Sequence, residues 1–156
     1  MGSQILVLLE LDENSRQVVN CLSQAGFDVL ACQTFTEAMD VLDQHPKIEM
    51  IISDVHLQNG GTVFDFLRWL RASDNHSGTS LVFFSFKPTE LAKHLEDGIR
   101  TAARLLGVKK YITMDCFDSA LFCKKIQLVI AEQHGYLDQQ LDDEIRMLSA
   151  VHAVHS

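Results

Sequence analysis

Short apolar runs alternate along this chain with longer segments in which apolar residues recur at every third or fourth position. A continuous apolar run suits a strand buried on both faces, and the wider spacing is typical of an amphipathic helix. Five strand–helix repeats in this order predict a doubly wound α/β fold with a five-stranded parallel sheet covered by helices on both faces. The predicted strands are residues 5–9, 27–32, 50–53, 81–84 and 111–113.

Residues with helix-capping chemistry mark where several predicted helices begin. Asn14 or Ser15 is expected to cap the first helix. Thr34 and Glu37 have the spacing of a capping box, so the second helix is expected to begin there. Asp118 is expected to cap the last helix of the fold.

The composition narrows the class of protein. The chain has 156 residues, of which 47% are apolar, so it can fill the core of one domain. No apolar run is long enough to span a membrane, and the N-terminus lacks a signal peptide, so a cytoplasmic location is predicted. A net charge of −8 argues against binding to nucleic acid, which needs a basic face. No Cys-x-x-Cys pair occurs, and the cysteines are expected to be reduced packing thiols: Cys21, Cys32, Cys116 and Cys123.

Three polar residues follow buried strands: Glu10, Asp54 and Ser85. Ligands of doubly wound sheets bind in the crevice beyond the carboxyl ends of the strands, so these side chains are expected to converge there. Gly60 and Gly61 follow Asp54 and leave the backbone free to adapt to a ligand. Each residue also has a simpler explanation, because an aspartate can close a turn, a serine can start a helix and a glutamate can be a surface acid.

Two segments resemble parts of a known family. The phosphoacceptor strand and glycine loop of that family are similar to IISDVHLQNGGTVFDFLRWLR, and its fourth strand is similar to SLVFFS. That family is the receiver domain of bacterial response regulators, and the similarity covers residues 3–131 with a flavodoxin-like fold. It implies two-component signalling in which Asp54 accepts a phosphoryl group from a histidine kinase or phosphotransfer protein. Ser85 would be the switch hydroxyl and Tyr111 the aromatic switch residue. Receivers act through contact with another protein, so no enzymatic activity is implied beyond this self-modification.

The resemblance also implies Mg²⁺ at the phosphorylation site. Its ligands would be Glu10, Asp54 and the backbone carbonyl of His56, with Asp12 as a further candidate. Mg²⁺ prefers a few carboxylates together with waters, and it neutralises charge during phosphoryl transfer.

Two positions depart from the family pattern. The family has two adjacent acids after the first strand, whereas Glu10 is followed by Leu11, so weak Mg²⁺ binding is expected. The family also has a lysine at the end of the fifth strand, where this chain has Met114, and Lys109 and Lys110 are predicted to precede that strand. Methionine cannot donate a hydrogen bond to phosphate. The departures leave open a pseudo-receiver, an interaction module that keeps the fold and no longer uses phosphorylation.

A third interpretation, a flavodoxin-like enzyme or cofactor binder, is disfavoured because no glycine-rich phosphate loop follows the first strand. The fourth predicted helix, between Pro88 and Gly107, is long, and the resemblance places partner contacts on it and on the next strand. Residues 132–156 carry an apolar stripe among acids, which predicts a helical extension docked on the domain or on a second chain, as in a homodimer. A frayed tail without a role is the alternative.

Overall fold

The predicted alternation of strands and helices is present in the computed structural model, which describes residues 3–55, 63–86, 90–105 and 107–135. The strands are β1 (Gln4–Leu8), β2 (Asp28–Cys32), β3 (Ile48–Ser53), β4 (Ser80–Phe86) and β5 (Lys110–Met114). The helices are α1 (Asp12–Gln24), α2 (Phe35–Gln44), α3 (Val63–Ala72), α4 (Glu90–Leu105) and α5 (Ser119–Gln133).

All neighbouring strands run parallel, in the order β2-β1-β3-β4-β5. The strand order reverses beside β1, and such a reversal opens a crevice at the carboxyl ends of the two central strands. The predicted doubly wound α/β fold is therefore confirmed. Its topology places the residues that follow β1 and β3 next to each other.

Both faces of the sheet are covered, because alternate residues of a strand point to opposite faces. Leu6 and Phe83 belong to a core built with α2, α3 and α4. On the opposite face, Phe84 packs edge-on against Phe122 of α5, with ring centroids 5.0 Å apart. Full burial of one such side chain stabilises a fold by roughly 1.5–3 kcal/mol, so the two cores hold the strand ends in place.

The predicted helix starts are confirmed for α2 and α5 and wrong for α1. The N-cap of α1 is Leu11, so the predicted cap at Asn14 or Ser15 is wrong. Two acids in the first turn favour the earlier start, since negative charge stabilises a helix N-terminus. The predicted start of α2 at Thr34 is confirmed, because the Thr34 hydroxyl accepts the backbone N–H of Glu37 at 3.1 Å. The Glu37 carboxylate accepts the N–H of Gln33 at 3.2 Å instead of that of Thr34, so the reciprocal bond of the capping box differs from the prediction.

The last two strands are longer than predicted. β4 extends to Phe86, so Ser85 lies inside the strand rather than after it. Lys110 belongs to β5, so its predicted place before the strand is wrong. The Lys109 N–H donates to a β4 carbonyl at 2.9 Å and extends the pairing of the two strands. The predicted cap at Asp118 is confirmed, since its carboxylate accepts an N–H of α5 at 3.0 Å.

The described residues form two compact units that divide between Cys123 and Lys124. The first unit contains the whole sheet. The predicted limits, 3–131 and 132–156, stay a prediction because most of the second segment lies outside the described residues. Within the described ranges, no helix has the length and apolar content needed to cross a membrane. The cysteines are free, but Cys116 is exposed, so the prediction of a packing thiol is wrong for that residue.

Candidate functional site

Asp54 follows β3 directly, and its side chain turns toward the end of β1. Its backbone N–H donates to the Leu8 carbonyl at 3.0 Å, which continues the pairing of the two strands by one residue. Its Oδ2 accepts the backbone N–H of Glu10 at 2.8 Å. The buried Ser53 donates its hydroxyl to the Asp54 carbonyl at 2.8 Å. These hydrogen bonds fix the Asp54 carboxylate at the carboxyl ends of two central strands, beside Glu10.

The surroundings of the Asp54 carboxylate disfavour its negative charge. Burial raises its pKa to about 6. The Glu10 N–H lowers this pKa because it stabilises the ionised form, and the negative charge of Glu10 raises it again. The carboxylate is still mostly ionised at neutral pH. A charged group held in this way is typical of a site where a cation or a reacting group completes the charge balance.

Asp12 lies in the first turn of α1, and Gln33 holds its side chain. The Gln33 amide donates to the Asp12 carboxylate and also lies 3.4 Å from the Glu10 carbonyl. Gln33 follows β2, so three neighbouring strand ends contribute to the same rim. Gln33 was not predicted as a site residue, although its position directly after a strand was a usable signal.

The structure brings together two of the predicted Mg²⁺ ligands, Glu10 and Asp54, whereas His56 lies outside the described residues. Within the described part of the chain, no three side chains of His, Cys, Asp or Glu gather into a group that could hold a metal. Burial raises the pKa of Asp54, and the neighbouring negative charge of Glu10 raises it further, an interaction that a bound cation would reverse. Two neighbouring carboxylates fit Mg²⁺, since this ion commonly keeps several waters and takes one or two carboxylates.

Ser85 and Tyr111 lie on adjacent strands and on the same face of the sheet. Ser85 is paired in register with Thr113, and Phe83 is paired with Tyr111. Arg100 of α4 covers the Tyr111 ring, with its guanidinium carbon 4.3 Å from the ring centroid. The Arg100 amino groups also lie 3.5 Å from the Tyr111 carbonyl and from the Thr113 hydroxyl. No sequence pattern indicated Arg100, because this contact depends on how α4 packs on β5.

Leu11 and Met114 occupy the two positions where the resemblance expects an acid and a lysine. Leu11 is 63% exposed, so it supplies neither a ligand nor much packing. Met114 is 6% exposed and is paired with Phe86, whose ring lies 6.4 Å from that of Phe117. The end of β5 is therefore an apolar packing position and not a source of positive charge.

No family model matches the chain, and no curated protein matches it in sequence. The structure is similar to that of the chemotaxis response regulator CheY4 of Vibrio cholerae, with a TM-score of 0.68 and 20% sequence identity. That match covers 83% of this chain and 99% of CheY4. The fold is that of a receiver domain.

Two further structures with the receiver fold agree with this assignment. The signal receiver domain of a histidine kinase from Syntrophus aciditrophicus has a TM-score of 0.67 at 16% identity, covering 84% of this chain and 92% of that chain. A response regulator protein from Burkholderia multivorans has a TM-score of 0.60 at 14% identity, covering 83% and 95%. Likeness at such identities establishes the fold alone.

Proposed function

We propose that this receiver fold acts in phosphorelay signalling, with Asp54 as the phosphoacceptor and contact with another protein as the output. The observation that carries the proposal is the 2.8 Å hydrogen bond from the Glu10 N–H to Asp54 Oδ2. It supports a reactive carboxylate at the rim of the sheet, beside a second acid. The solved neighbours, which are named as two response regulators and the signal receiver domain of a histidine kinase, support the same class of function.

The proposed reaction uses Asp54 in its ionised form, which predominates at neutral pH because its pKa is about 6. A carboxylate oxygen attacks the phosphorus of a phosphohistidine on a histidine kinase or phosphotransfer protein. The P–N bond breaks, and the imidazole leaves with a proton from solvent. Oδ2 accepts the hydrogen bond of the Glu10 N–H, so the attack is assigned to the other oxygen, Oδ1.

Glu10 and Asp54 would hold Mg²⁺, with the His56 carbonyl and Asp12 as further candidate ligands. When bound, the ion supplies positive charge against the transferred group. The absence of an acid at Leu11 supports the expectation that binding is weak.

Ser85 would donate a hydrogen bond to the new phosphoryl group, which brings strong acceptor oxygens and added negative charge. A shift of Ser85 would reach Thr113 through the pairing of β4 with β5. Arg100 contacts both Thr113 and Tyr111, so α4 would sense the same shift. Tyr111 is therefore proposed as the switch residue, and the surface formed by α4 and β5 as the output. The proposal places the protein in the cytoplasm and gives it no enzymatic activity beyond its own modification.

The second candidate function is a pseudo-receiver that binds partners without phosphorylation. The buried Met114 favours this alternative, because a phosphoryl group on Asp54 would lack a charge-assisted hydrogen bond worth about 1.5–3 kcal/mol. The exposed Leu11 favours it as well, through weaker Mg²⁺ binding.

Incubation with Mg²⁺ and acetyl phosphate, followed by intact-mass measurement, separates the two functions. Phosphorylation predicts the addition of one phosphoryl group to the wild type and none to Asp54→Asn. Asparagine is a matched control because its carbonyl oxygen can still accept the Glu10 N–H. The absence of any addition, together with unchanged fluorescence in beryllofluoride and Mg²⁺, would reject the phosphorylation proposal and favour the pseudo-receiver.

A further inference from the structure

Two cysteines meet where α1 packs on α5, far from the rim of the sheet in the chain but within one compact unit. The Cys21 thiol donates to the Ser119 carbonyl at 3.2 Å, although 98 positions separate the two residues in the sequence. Ser119 and Cys123 are four residues apart in α5 and share one face of that helix. Helix side chains lean toward the N-terminus, so the Cys123 side chain points toward the place where the Cys21 sulfur lies.

The two thiols also interact directly. Burial raises the pKa of Cys21 to about 11, and a negative charge on Cys123 and a hydrogen bond with the Cys123 thiol contribute to the rise. Both residues are free thiols of intermediate exposure, so a small reagent can reach them. Because Cys21 is protonated at neutral pH, it is the slower of the two to attack a reagent from solution, but it is well placed to attack a sulfur at Cys123.

The surroundings of the pair favour a bond between the sulfurs over a bound metal. A structural zinc site takes four ligands. Among the residues that the structure describes, no three His, Cys, Asp or Glu side chains form a group that could hold a metal. The remaining cysteines are in different environments, since Cys32 is buried and Cys116 is exposed.

We propose that Cys21 and Cys123 are a redox modification site, at which a small disulfide such as glutathione disulfide forms a reversible cross-link between α1 and α5. Disulfides of cytoplasmic proteins are usually transient, so the bond is expected to form under oxidising conditions and to be reduced afterwards. The inference does not depend on phosphorylation of Asp54.

The cross-link forms by two successive exchanges. Cys123 loses its proton to solvent, and its sulfur attacks one sulfur of glutathione disulfide. The S–S bond of the reagent breaks, one glutathione leaves as a thiolate that takes up a proton, and a mixed disulfide remains on Cys123. Cys21 then loses its proton and attacks the Cys123 sulfur, which releases the second glutathione. The protein gives up two electrons and two protons, and glutathione disulfide gains both.

The cross-link would restrain most of the chain, because β2, β3, β4 and β5 all lie between the two cysteines in the sequence. A disulfide that closes a long loop restricts the unfolded chain strongly. Oxidation is therefore expected to raise the midpoint of thermal unfolding by roughly 10 °C.

The test incubates the full-length protein with glutathione disulfide, blocks the remaining thiols with N-ethylmaleimide in denaturant and measures the intact mass. Cys116→Ser serves as the parent, because the exposed Cys116 would otherwise take up glutathione by itself. Cys21→Ser and Cys123→Ser, each made in this parent, remove one partner of the pair. Cys32→Ala in the same parent is the matched control, since it removes a cysteine outside the pair.

The oxidised parent is expected to bind a single maleimide, at Cys32, to carry no glutathione and to stay monomeric, and dithiothreitol should reverse the change. Cys21→Ser should keep a glutathione on Cys123, because no second sulfur displaces it, and its thermal midpoint should not show the rise of the parent. Cys32→Ala should form the cross-link as the parent does. A second measurement needs no variant of the pair: the equilibrium with glutathione should favour the cross-link at least roughly a hundredfold more in native buffer than in concentrated urea.

Four results would overturn the inference. The first is a parent that carries only mixed disulfides with glutathione or cross-links between two copies of the chain. The second is a cross-link that persists in Cys21→Ser or Cys123→Ser, which would assign it to Cys32. The third is a lower thermal midpoint after oxidation, which would show that the folded protein does not accommodate the bond. The fourth is an equilibrium with glutathione that is the same in native buffer and in urea, because the fold would then not bring the two sulfurs together.

Discussion

Two titratable side chains at opposite ends of the sheet, His76 and Asp54, lie in opposite surroundings. At the amino ends, His76 is 1% exposed, and each ring nitrogen has a partner. Its Nε2 donates to the Leu42 carbonyl at 2.8 Å, which leaves Nδ1 to accept from the Thr79 hydroxyl at 3.0 Å. At the carboxyl ends, Asp54 lies partly buried beside the like charge of Glu10. A satisfied polar group stabilises a fold and a crowded charge destabilises it, so the first end is scaffold and the second has the character of a site.

Arg71 strengthens the scaffold end by joining two loops. Its guanidinium donates to the carbonyls of Ser77 at 3.0 Å, Thr79 at 2.8 Å and Gly107 at 3.2 Å. Gly107 has a positive φ of 84°, which ends α4 in a conformation that glycine adopts without strain. The loop before β4 and the turn before β5 are therefore held by one cation.

The largest effect is expected at the scaffold end, for His76→Ala. The change leaves the Leu42 carbonyl and the Thr79 hydroxyl without their buried partner and opens a cavity, so the free energy of unfolding should fall by about 3 kcal/mol. Urea denaturation followed by circular dichroism measures it. Asn75→Ala, at the exposed neighbouring position, is the control and should stay within about 0.5 kcal/mol of the wild type. A loss below about 1 kcal/mol for His76→Ala would contradict the scaffold role.

A somewhat smaller loss, about 2 kcal/mol, is expected for Arg71→Ala, because three carbonyls lose a charged donor. Arg68→Ala on the same helix is a matched control, since among the described residues Arg68 forms only an exposed ion pair with Asp65. Such pairs contribute roughly 0–1 kcal/mol, so the control should change stability little in the same urea experiment. Equal losses for the two arginines would mean that the loop carbonyls gain nothing from Arg71.

At the carboxyl ends of the strands, removal of the charge of Asp54 should raise the free energy of unfolding. Asp54→Asn is expected to raise the free energy of unfolding at neutral pH by about 1–2 kcal/mol when EDTA is present, because it removes a charge that burial disfavours. The folded-state pKa of about 6 lies above the ordinary 3.8, so the folded protein binds this proton more tightly than the unfolded chain does. The stability advantage of Asp54→Asn should therefore be small below pH 4, grow between about pH 4 and pH 6, and stay constant above that.

Thermal unfolding at a series of pH values measures this difference between the wild type and the variant. Asp74→Asn makes the same charge change at an exposed position and serves as the control. A lower stability of Asp54→Asn at neutral pH would show that the added strength of the Glu10 hydrogen bond to a charged acceptor outweighs the burial of the charge. The contrast between the two ends of the sheet would then fail.

The same contrast explains what the sequence could predict. The apolar spacing of strands and helices is a local signal, and parallel topology then places Glu10 and Asp54 at one rim without any knowledge of side-chain contacts. His76 carried no such signal, because it lies in a polar segment and its partner at Leu42 is 34 residues away in the chain. Arg100 was missed for a similar reason, since only the packing of α4 on β5 places it over Tyr111.

The smallest expected effect concerns Leu11, which stands where receiver domains have a second acid. Leu11 is the N-cap of α1 and makes no capping hydrogen bond through its side chain. Leu11→Asp and Leu11→Asn both supply a capping oxygen, so each should raise the free energy of unfolding by up to about 1 kcal/mol. Only Leu11→Asp adds negative charge beside Glu10, so only this variant should bind Mg²⁺ more tightly, by roughly tenfold.

Calorimetric titration of Mg²⁺ into the wild type and both variants separates the two contributions, since the asparagine reproduces the cap without the charge. If both variants bind Mg²⁺ like the wild type, Asp12 already supplies the second carboxylate and the exposed Leu11 is not a defect of the site. If both bind more tightly, the gain comes from ordering the start of α1, and the missing charge is not the reason that binding is weak. A gain confined to Leu11→Asp would instead show that the carboxyl ends of β1 and β3 retain the geometry of a cation site and lack one ligand.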